Sequence, residues 1–243
     1  KKFLSLGKMP EYNHNKIIAD IKELVRLLKK YQFNEFMDLY SLDNLVGKTT
    51  EVFYNYNIDD IVLRITSSGQ KPAPKVSKFA IVIKMDYTLQ ENLNAKIDIF
   101  DNYQFELFIK GFKDVNATGY EDEYNFFCWH LDKEVNTNGK FIHPYYHFHA
   151  GGVYMKDYID EDSKIVLIGS PRIPHPPMDI ILAIHFIILN FVNSKEYPAK
   201  EYLLSDESYI DVIERAQKRV LDPYFNAING DGHTVFTKEN LFP

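Results

Sequence analysis

Five of the eight histidines in this 243-residue chain lie in one stretch, between residues 130 and 175. Imidazole changes its charge near neutral pH and, when neutral, is a common ligand of transition metals, so a group of histidines suits proton transfer or metal binding. The five are His130, His143, His147, His149 and His175. Any chemistry that this chain performs is therefore predicted to take place in this stretch.

The densest part of the stretch, HPYYHFHAGG at residues 143–152, has the spacing of a β-strand. Side chains two residues apart in a strand point to the same face, so Tyr145, His147 and His149 are predicted to lie side by side. The two glycines that follow predict a bulge, or a place where a ligand or another backbone approaches closely. His130 stands on a second predicted strand and joins this face if the two strands pair.

Four prolines stiffen the segment PRIPHPPMD at residues 171–179. Because proline restricts the backbone, this linker is predicted to hold Arg172 and His175 in a fixed place, close to the start of a helix. A helix N-terminus attracts anions, and an arginine beside it adds a bidentate donor for phosphate or carboxylate. The segment therefore predicts a site for an anionic group next to the histidines.

Three interpretations of these residues remain open. In the first, His130, His147 and His149 bind a divalent transition metal such as Zn²⁺, because an H-x-H pair on a strand with one more histidine is a frequent ligand set. In the second, the site is metal-free, and one imidazole takes a proton while another gives one, as phosphodiester cleavage by a ribonuclease requires. In the third, the histidines are hydrogen-bonded parts of an aromatic sheet surface and catalyse nothing. The catalytic candidates are His130, His147, His149 and His175, and the substrate-binding candidates are Arg172, Tyr145 and His143.

The elements around this site predict one α+β domain over residues 1–243, with a helical N-terminal region (1–45), a large, mainly antiparallel sheet (46–170) and a C-terminal region with two closing helices (171–243). Periodicity predicts helices over 14–31, 34–40, 178–192 and 205–226, and strands over 50–57, 58–66, 79–85, 96–100, 103–110, 124–131, 145–154 and 165–168. Asp101 and Asn102 are predicted to form a hairpin turn. The helix over 178–192 is so apolar that it is predicted to be buried.

Composition limits the expected partners. The net charge of −6 gives no general attraction to nucleic acid or anionic membrane, so RNA or a nucleotide is expected only at a local site. The single cysteine, Cys128, excludes an internal disulfide and is predicted to be a buried, inert thiol. No secretory signal is recognised, and the most apolar run is shorter than the ~20 residues that a membrane span needs. The chain is therefore expected in the cytoplasm, with no membrane partner.

The stretch HPYYHFHAGG followed by PRIPHPPMDIILAIHFIILNF resembles segments of uncharacterised bacterial proteins of this size, and it is similar to TumE-like toxins of toxin–antitoxin pairs. The resemblance covers residues 78–193 and implies that His147 and His149 are functional residues. Two hypotheses follow. The first is a ribonuclease-like or other phosphodiester-cleaving bacterial effector of toxin or defence type. The second is a non-catalytic adaptor or subunit of a multi-protein defence system, which binds a protein partner.

Overall fold

The computed structural model describes residues 13–47, 55–66, 76–90, 98–113, 123–134, 144–151, 153–158 and 172–228. The helices are α1 (His14–Lys30), α2 (Tyr40–Gly47), α3 (Ile180–Phe191), α4 (Ala199–Leu204) and α5 (Glu207–Ile228), and the strands are β1 (Asn55–Thr66), β2 (Val76–Leu89), β3 (Phe100–Lys113), β4 (Glu123–Lys133), β5 (Tyr146–Ala150) and β6 (Ile173–Pro174). Two 3₁₀ segments, Phe33–Glu35 and Val153–Tyr158, lie between these elements. The predicted α+β class is confirmed.

Within the described residues, six strands form one antiparallel sheet in the order β1-β2-β3-β4-β5-β6, so each of these strands pairs with the next one in this series. Side chains of β1 alternate between buried and exposed, which is the pattern of a sheet with one face in the core. The main core lies on this inner face, where α1, α2, α3 and α5 pack against the strands. We call the opposite face, which carries the alternate side chains, the outer face.

The hairpin turn predicted at Asp101 and Asn102 is wrong, because both residues lie inside β3. Asn102 pairs with Thr88 of β2, and the ladder is extended to Gln90, whose N–H donates to the carbonyl of Ile99 at 2.9 Å. Asp and Asn disfavour strands only weakly when they are exposed, and the backbone hydrogen bonds of a long paired strand outweigh that preference. The two strands predicted over 96–100 and 103–110 are therefore one strand in the described residues.

Other predicted boundaries also move. The helix predicted over 34–40 is replaced by the 3₁₀ segment Phe33–Glu35 and by α2, and neither α4 nor β6 was predicted from the sequence. The strand predicted over 145–154 ends at Ala150, because Gly151 adopts a φ of 92°, in the left-handed region that favours glycine. The strand predicted over 165–168 lies outside the described residues.

Helix α3 is buried, as predicted, with Ile180, Ile181, Leu182, Ala183, Ile184, Ile187 and Ile188 in the core. It begins after Asp179, whose side chain accepts a hydrogen bond from the backbone N–H of Leu182 at 3.0 Å and caps the helix. Among the helices that the structure describes, none has the length and apolar character needed to cross a membrane.

A smaller apolar cluster lies on the outer face and consists of Ala80, Val82, Phe108, Cys128 and Met155. Met155 belongs to the 3₁₀ segment that follows Gly151. The turn at Gly151 therefore folds the chain back over the outer face, and this brings Tyr154 next to the histidines of β4 and β5.

Candidate metal centre

The register between β4 and β5 brings the histidines together. His130 pairs with His149, and Asp132 pairs with His147. Because residues directly opposite each other in an antiparallel pair project from the same face, these four side chains share the outer face. The prediction that His147 and His149 share a face, and that His130 joins them if its strand pairs, is confirmed. The prediction that Tyr145 lies beside them is wrong, because Tyr145 precedes β5 and its ring packs against the main core.

The rings of this group are stacked. The ring centroids of His130 and His149 are 5.0 Å apart with an interplanar angle of 20°, and those of His147 and His149 are 5.8 Å apart with an angle of 30°. Tyr154 also stacks on His130, with ring centroids 5.7 Å apart and an interplanar angle of 13°. Stacking of this kind limits the rotation of each imidazole, so the ring nitrogens have defined positions.

Three of these residues converge as possible metal ligands. Asp132, His147 and His149 each place one ligand atom within 4.8 Å of the other two, and Nδ1 of His149 lies 3.5 Å from Oδ2 of Asp132. Two imidazoles and one carboxylate are the protein ligands of many catalytic zinc and non-haem iron sites. Bonds of about 2.1 Å to a tetrahedral ion place ligand atoms about 3.4 Å apart, and the pair formed by His149 and Asp132 has nearly this separation.

His147 has the environment of a metal ligand. Its Nδ1–H donates to the carbonyl of Pro144 at 2.8 Å, so Nε2 is the nitrogen that carries the lone pair when the ring is neutral. Such a bond to a backbone carbonyl orients many metal-binding histidines and selects their tautomer. His147 is only 2% exposed, and this burial lowers the pKa of its imidazole, which favours the neutral ring.

Charge at the site is mixed. Burial raises the pKa of the Asp132 carboxyl, whereas the positive charges that His130, His147 and Arg172 carry when protonated oppose that shift. Arg172 thus lies near enough to the centre to interact with Asp132 and His147 electrostatically. Its backbone position directly before β6, which pairs with β5, accounts for this proximity.

A second pair flanks the ligand set. Nδ1 of His130 lies 3.8 Å from Oε1 of Glu106, and its Nε2–H donates to the carbonyl of Gly151 at 3.0 Å. Both side chains are buried. The negative charge of Glu106 raises the pKa of the Tyr154 phenol, whose hydroxyl lies beside that carboxylate. His130 therefore lies outside the group of three converging ligand atoms and supports His149 through ring stacking.

Two predicted site residues lie elsewhere. The ring of His175 packs against Phe148 on the inner face, with the ring centroids 4.6 Å apart. The N–H of His175 donates to the carbonyl of Tyr146 and so continues the pairing with β5 one position beyond Pro174. Because side chains alternate between faces, His175 points to the inner face. Tyr145 precedes β5, and its ring packs against the main core, with Nζ of Lys133 5.4 Å from the ring centroid. His143 lies outside the described residues.

Three residues at this site were not found by sequence analysis: Glu106, Asp132 and Tyr154. The pattern H-x-D at residues 130–132 was an available signal, because alternation places Asp132 on the face of His130. The positions of Glu106 and Tyr154 depend on strand register and on the turn at Gly151.

No protein-family model matches this chain, and neither the curated proteins nor the solved structures give a significant match.

Proposed function

We propose that this protein is a metal-dependent phosphodiester-cleaving enzyme, a ribonuclease-like bacterial effector of toxin or defence type. The observation that carries the proposal is the convergence of Asp132, His147 and His149 to within 4.8 Å. A set of two histidines and one carboxylate leaves coordination positions for water and substrate. We place this activity in the cytoplasm, which suits a chain whose one thiol is free and buried.

The roles of the residues follow from their chemistry. Asp132, His147 and His149 would hold a divalent ion, which would supply Lewis acidity to water and to the phosphoryl group. Arg172 binds the phosphate by charge and hydrogen bonds. In the reaction, water adds to phosphorus and the bond to one ester oxygen breaks. The attacking water loses a proton to solvent and the leaving oxygen gains one, so that a phosphomonoester and an alcohol result.

The experiment measures metal content and phosphodiester cleavage on the same preparations. Wild-type protein is loaded with Zn²⁺ or Mn²⁺, and bound metal is determined by mass spectrometry. Cleavage of bis(p-nitrophenyl) phosphate and of labelled RNA is then followed. We expect His147→Ala, His149→Ala and Asp132→Asn to lose the bound metal and to lose cleavage by ~100-fold or more, since each removes one of three ligands.

Two variants serve as matched controls. His175→Gln changes a histidine on the inner face, and Cys128→Ala removes a thiol of the outer face that is no ligand of the set. Both are expected to keep metal and cleavage. If the wild type binds metal and cleaves neither substrate, or if it binds no metal, the enzyme proposal is wrong. The non-catalytic adaptor that binds a protein partner then takes its place.

A further inference from the structure

The outer face carries a long groove beside the candidate metal centre. The groove has a volume of about 1110 Å³ and crosses β1 to β4. Four cationic side chains and one carboxylate line it: Arg64, Lys78, Lys84, Lys110 and Asp60. The chain as a whole has a net charge of −6, so this excess of positive charge is a local property of the groove. The charges suit an anionic occupant.

Aromatic rings connect the groove with the metal centre. Phe126 lies 5.8 Å from Phe108, and Phe108 lies 5.4 Å from Tyr154, between ring centroids. Tyr154 in turn stacks on His130, which stacks on His149, one of the three possible ligands. Tyr154 is 45% exposed, so one part of this series of rings is open to a planar group.

The pairing of the strands also connects the groove with the candidate metal centre. Lys84 pairs with Glu106, Glu106 pairs with His130, and His130 pairs with His149. These four residues form one row across four strands. A cation of the groove and a ligand of the candidate centre are thus held in a fixed relation by the sheet.

We infer that this groove binds single-stranded nucleic acid and leads its backbone to the metal centre. As an assignment of substrate, the inference rests on the proposed function. Proteins that bind single strands combine cations that contact phosphates with rings on which unpaired bases stack, and the groove has both. Lys78 and Lys84 are six residues apart on one strand, about 20 Å, which spans several nucleotides. The bases of a duplex already stack on each other and offer no free faces to these rings.

The test measures binding separately from cleavage. The full chain, with metal removed by EDTA, is titrated into a fluorescein-labelled oligouridylate, an oligothymidylate of the same length, and a duplex. The dissociation constant is measured over a range of salt concentrations. We expect both single strands to bind more tightly than the duplex. Arg64→Gln and Lys110→Gln should each lower the slope of log K against log salt by about 0.7, the value for one phosphate contact to a single strand.

Ring stacking is tested at Tyr154. Tyr154→Ala should weaken binding of the single strands about tenfold, whereas Tyr154→Phe should keep it, because a base stacks on either ring. Lys218→Gln is the matched control for charge, since Lys218 lies on α5 and is absent from the groove lining. It should leave both the dissociation constant and the salt slope unchanged.

The binding and cleavage measurements distinguish a wrong assignment of the groove from a wrong assignment of enzymatic activity. The inference is overturned if the wild type does not bind single strands at low salt, or if it binds the duplex as tightly as the single strands. It is also overturned if the Arg64→Gln and Lys110→Gln variants bind single strands as well as the wild type does. Each of these results counts even when a small diester is cleaved. Arg64 is exposed, so its variant tests the groove without loss of the fold. If single strands bind as expected and no cleavage occurs, the groove stands and the enzyme proposal is wrong.

Discussion

The carbonyl oxygen of Gly151 accepts hydrogen bonds from two buried side chains, the thiol of Cys128 and the Nε2–H of His130. Burial, with a smaller contribution from the negative charge of Glu106, raises the pKa of Cys128 to about 11. The thiol is therefore protonated near neutral pH and is a poor nucleophile. The predicted inert character of Cys128 agrees with its surroundings, and its role is to fill space between the sheet and the 3₁₀ segment.

His185 of α3 provides a prediction about pH. Its Nδ1 is 2.9 Å from the hydroxyl of Tyr209 on α5, and burial lowers the pKa of the imidazole below 6.5. The unfolded chain therefore takes up a proton at this residue at higher pH than the folded protein. The contribution of neutral His185 to stability is complete above about pH 6.5 and decreases as the pH falls through the lowered pKa of the folded state.

The His185→Gln variant removes this titration and keeps a side chain that hydrogen-bonds to Tyr209. We expect the free energy of unfolding of the wild type to fall, relative to that of the variant, between pH 7.5 and pH 5, as measured by urea denaturation. Tyr209→Phe is the control, since it removes the hydroxyl and leaves the imidazole buried. It should keep the pH dependence of the wild type. Identical pH dependence in wild type and His185→Gln would contradict the prediction.

At the scale of elements, α3 supports the sheet from the inner face. Leu182 is 5% exposed, and Leu189 on the same helix is 47% exposed. Leu182→Ala should lower the free energy of unfolding by ~2–5 kcal/mol, because it leaves a cavity in a packed core. Leu189→Ala makes the same chemical change at the surface and should alter it by less than ~0.5 kcal/mol. Urea denaturation of both variants checks this, and equal effects would show that α3 is not packed as described.

The side chains on the two faces of the sheet differ in how deeply they are buried. Most apolar side chains of the inner face are buried in the main core, whereas Asp132, His149 and Tyr154 are only partly covered. The two faces of the sheet therefore have different roles. Burial on one face provides the stability that allows polar and aromatic groups to be held close together on the other.

At the scale of the whole molecule, a buried ion network joins three helices. Arg219 of α5 is 1% exposed, and its guanidinium lies 2.6 Å from Oδ2 of Asp179 at the start of α3 and 3.4 Å from Oδ2 of Asp20 in α1. Arg215 adds a second bond to Asp20 at 2.8 Å. Removing one partner of a buried pair is costly, because the other charge stays buried without its counter-charge.

Asp179→Asn tests this network, since the amide oxygen can still cap α3, while the charge and the oxygen that accepts from Nη2 of Arg219 are lost. We expect the free energy of unfolding to fall by about 3 kcal/mol in urea denaturation. Arg215→Gln breaks an ion pair at a half-exposed side chain and should cost less than about 1 kcal/mol. Circular dichroism and the fluorescence of the single tryptophan, Trp129, should report the same transition if the helices and the sheet unfold together. Equal stability of Asp179→Asn and wild type would show that the network contributes nothing.

The local sequence determined several features of this protein by itself. The alternation in β5 predicted that His147 and His149 share a face, and the run of apolar residues predicted that α3 is buried. Both follow from the geometry of the backbone and from apolar character within one segment, so neither needs knowledge of distant residues. The α+β class followed in the same way, from strands that succeed one another without intervening helices.

Only the tertiary structure decided which side chains complete the site. Asp132 joins His147 and His149 because β4 and β5 pair in one particular register, and a shift of one residue would turn Asp132 to the inner face. Side chains along a strand alternate between the two faces of the sheet. For this reason Arg172 lies near the centre, whereas His175 contacts Phe148 on the other side of the sheet. Asp101 and Asn102 form no turn for a related reason, since β3 pairs with β2 on both sides of Asp101 and keeps both residues in the strand. Register is set by hydrogen bonds and packing between segments far apart in the chain, and these are invisible to a pattern within one segment.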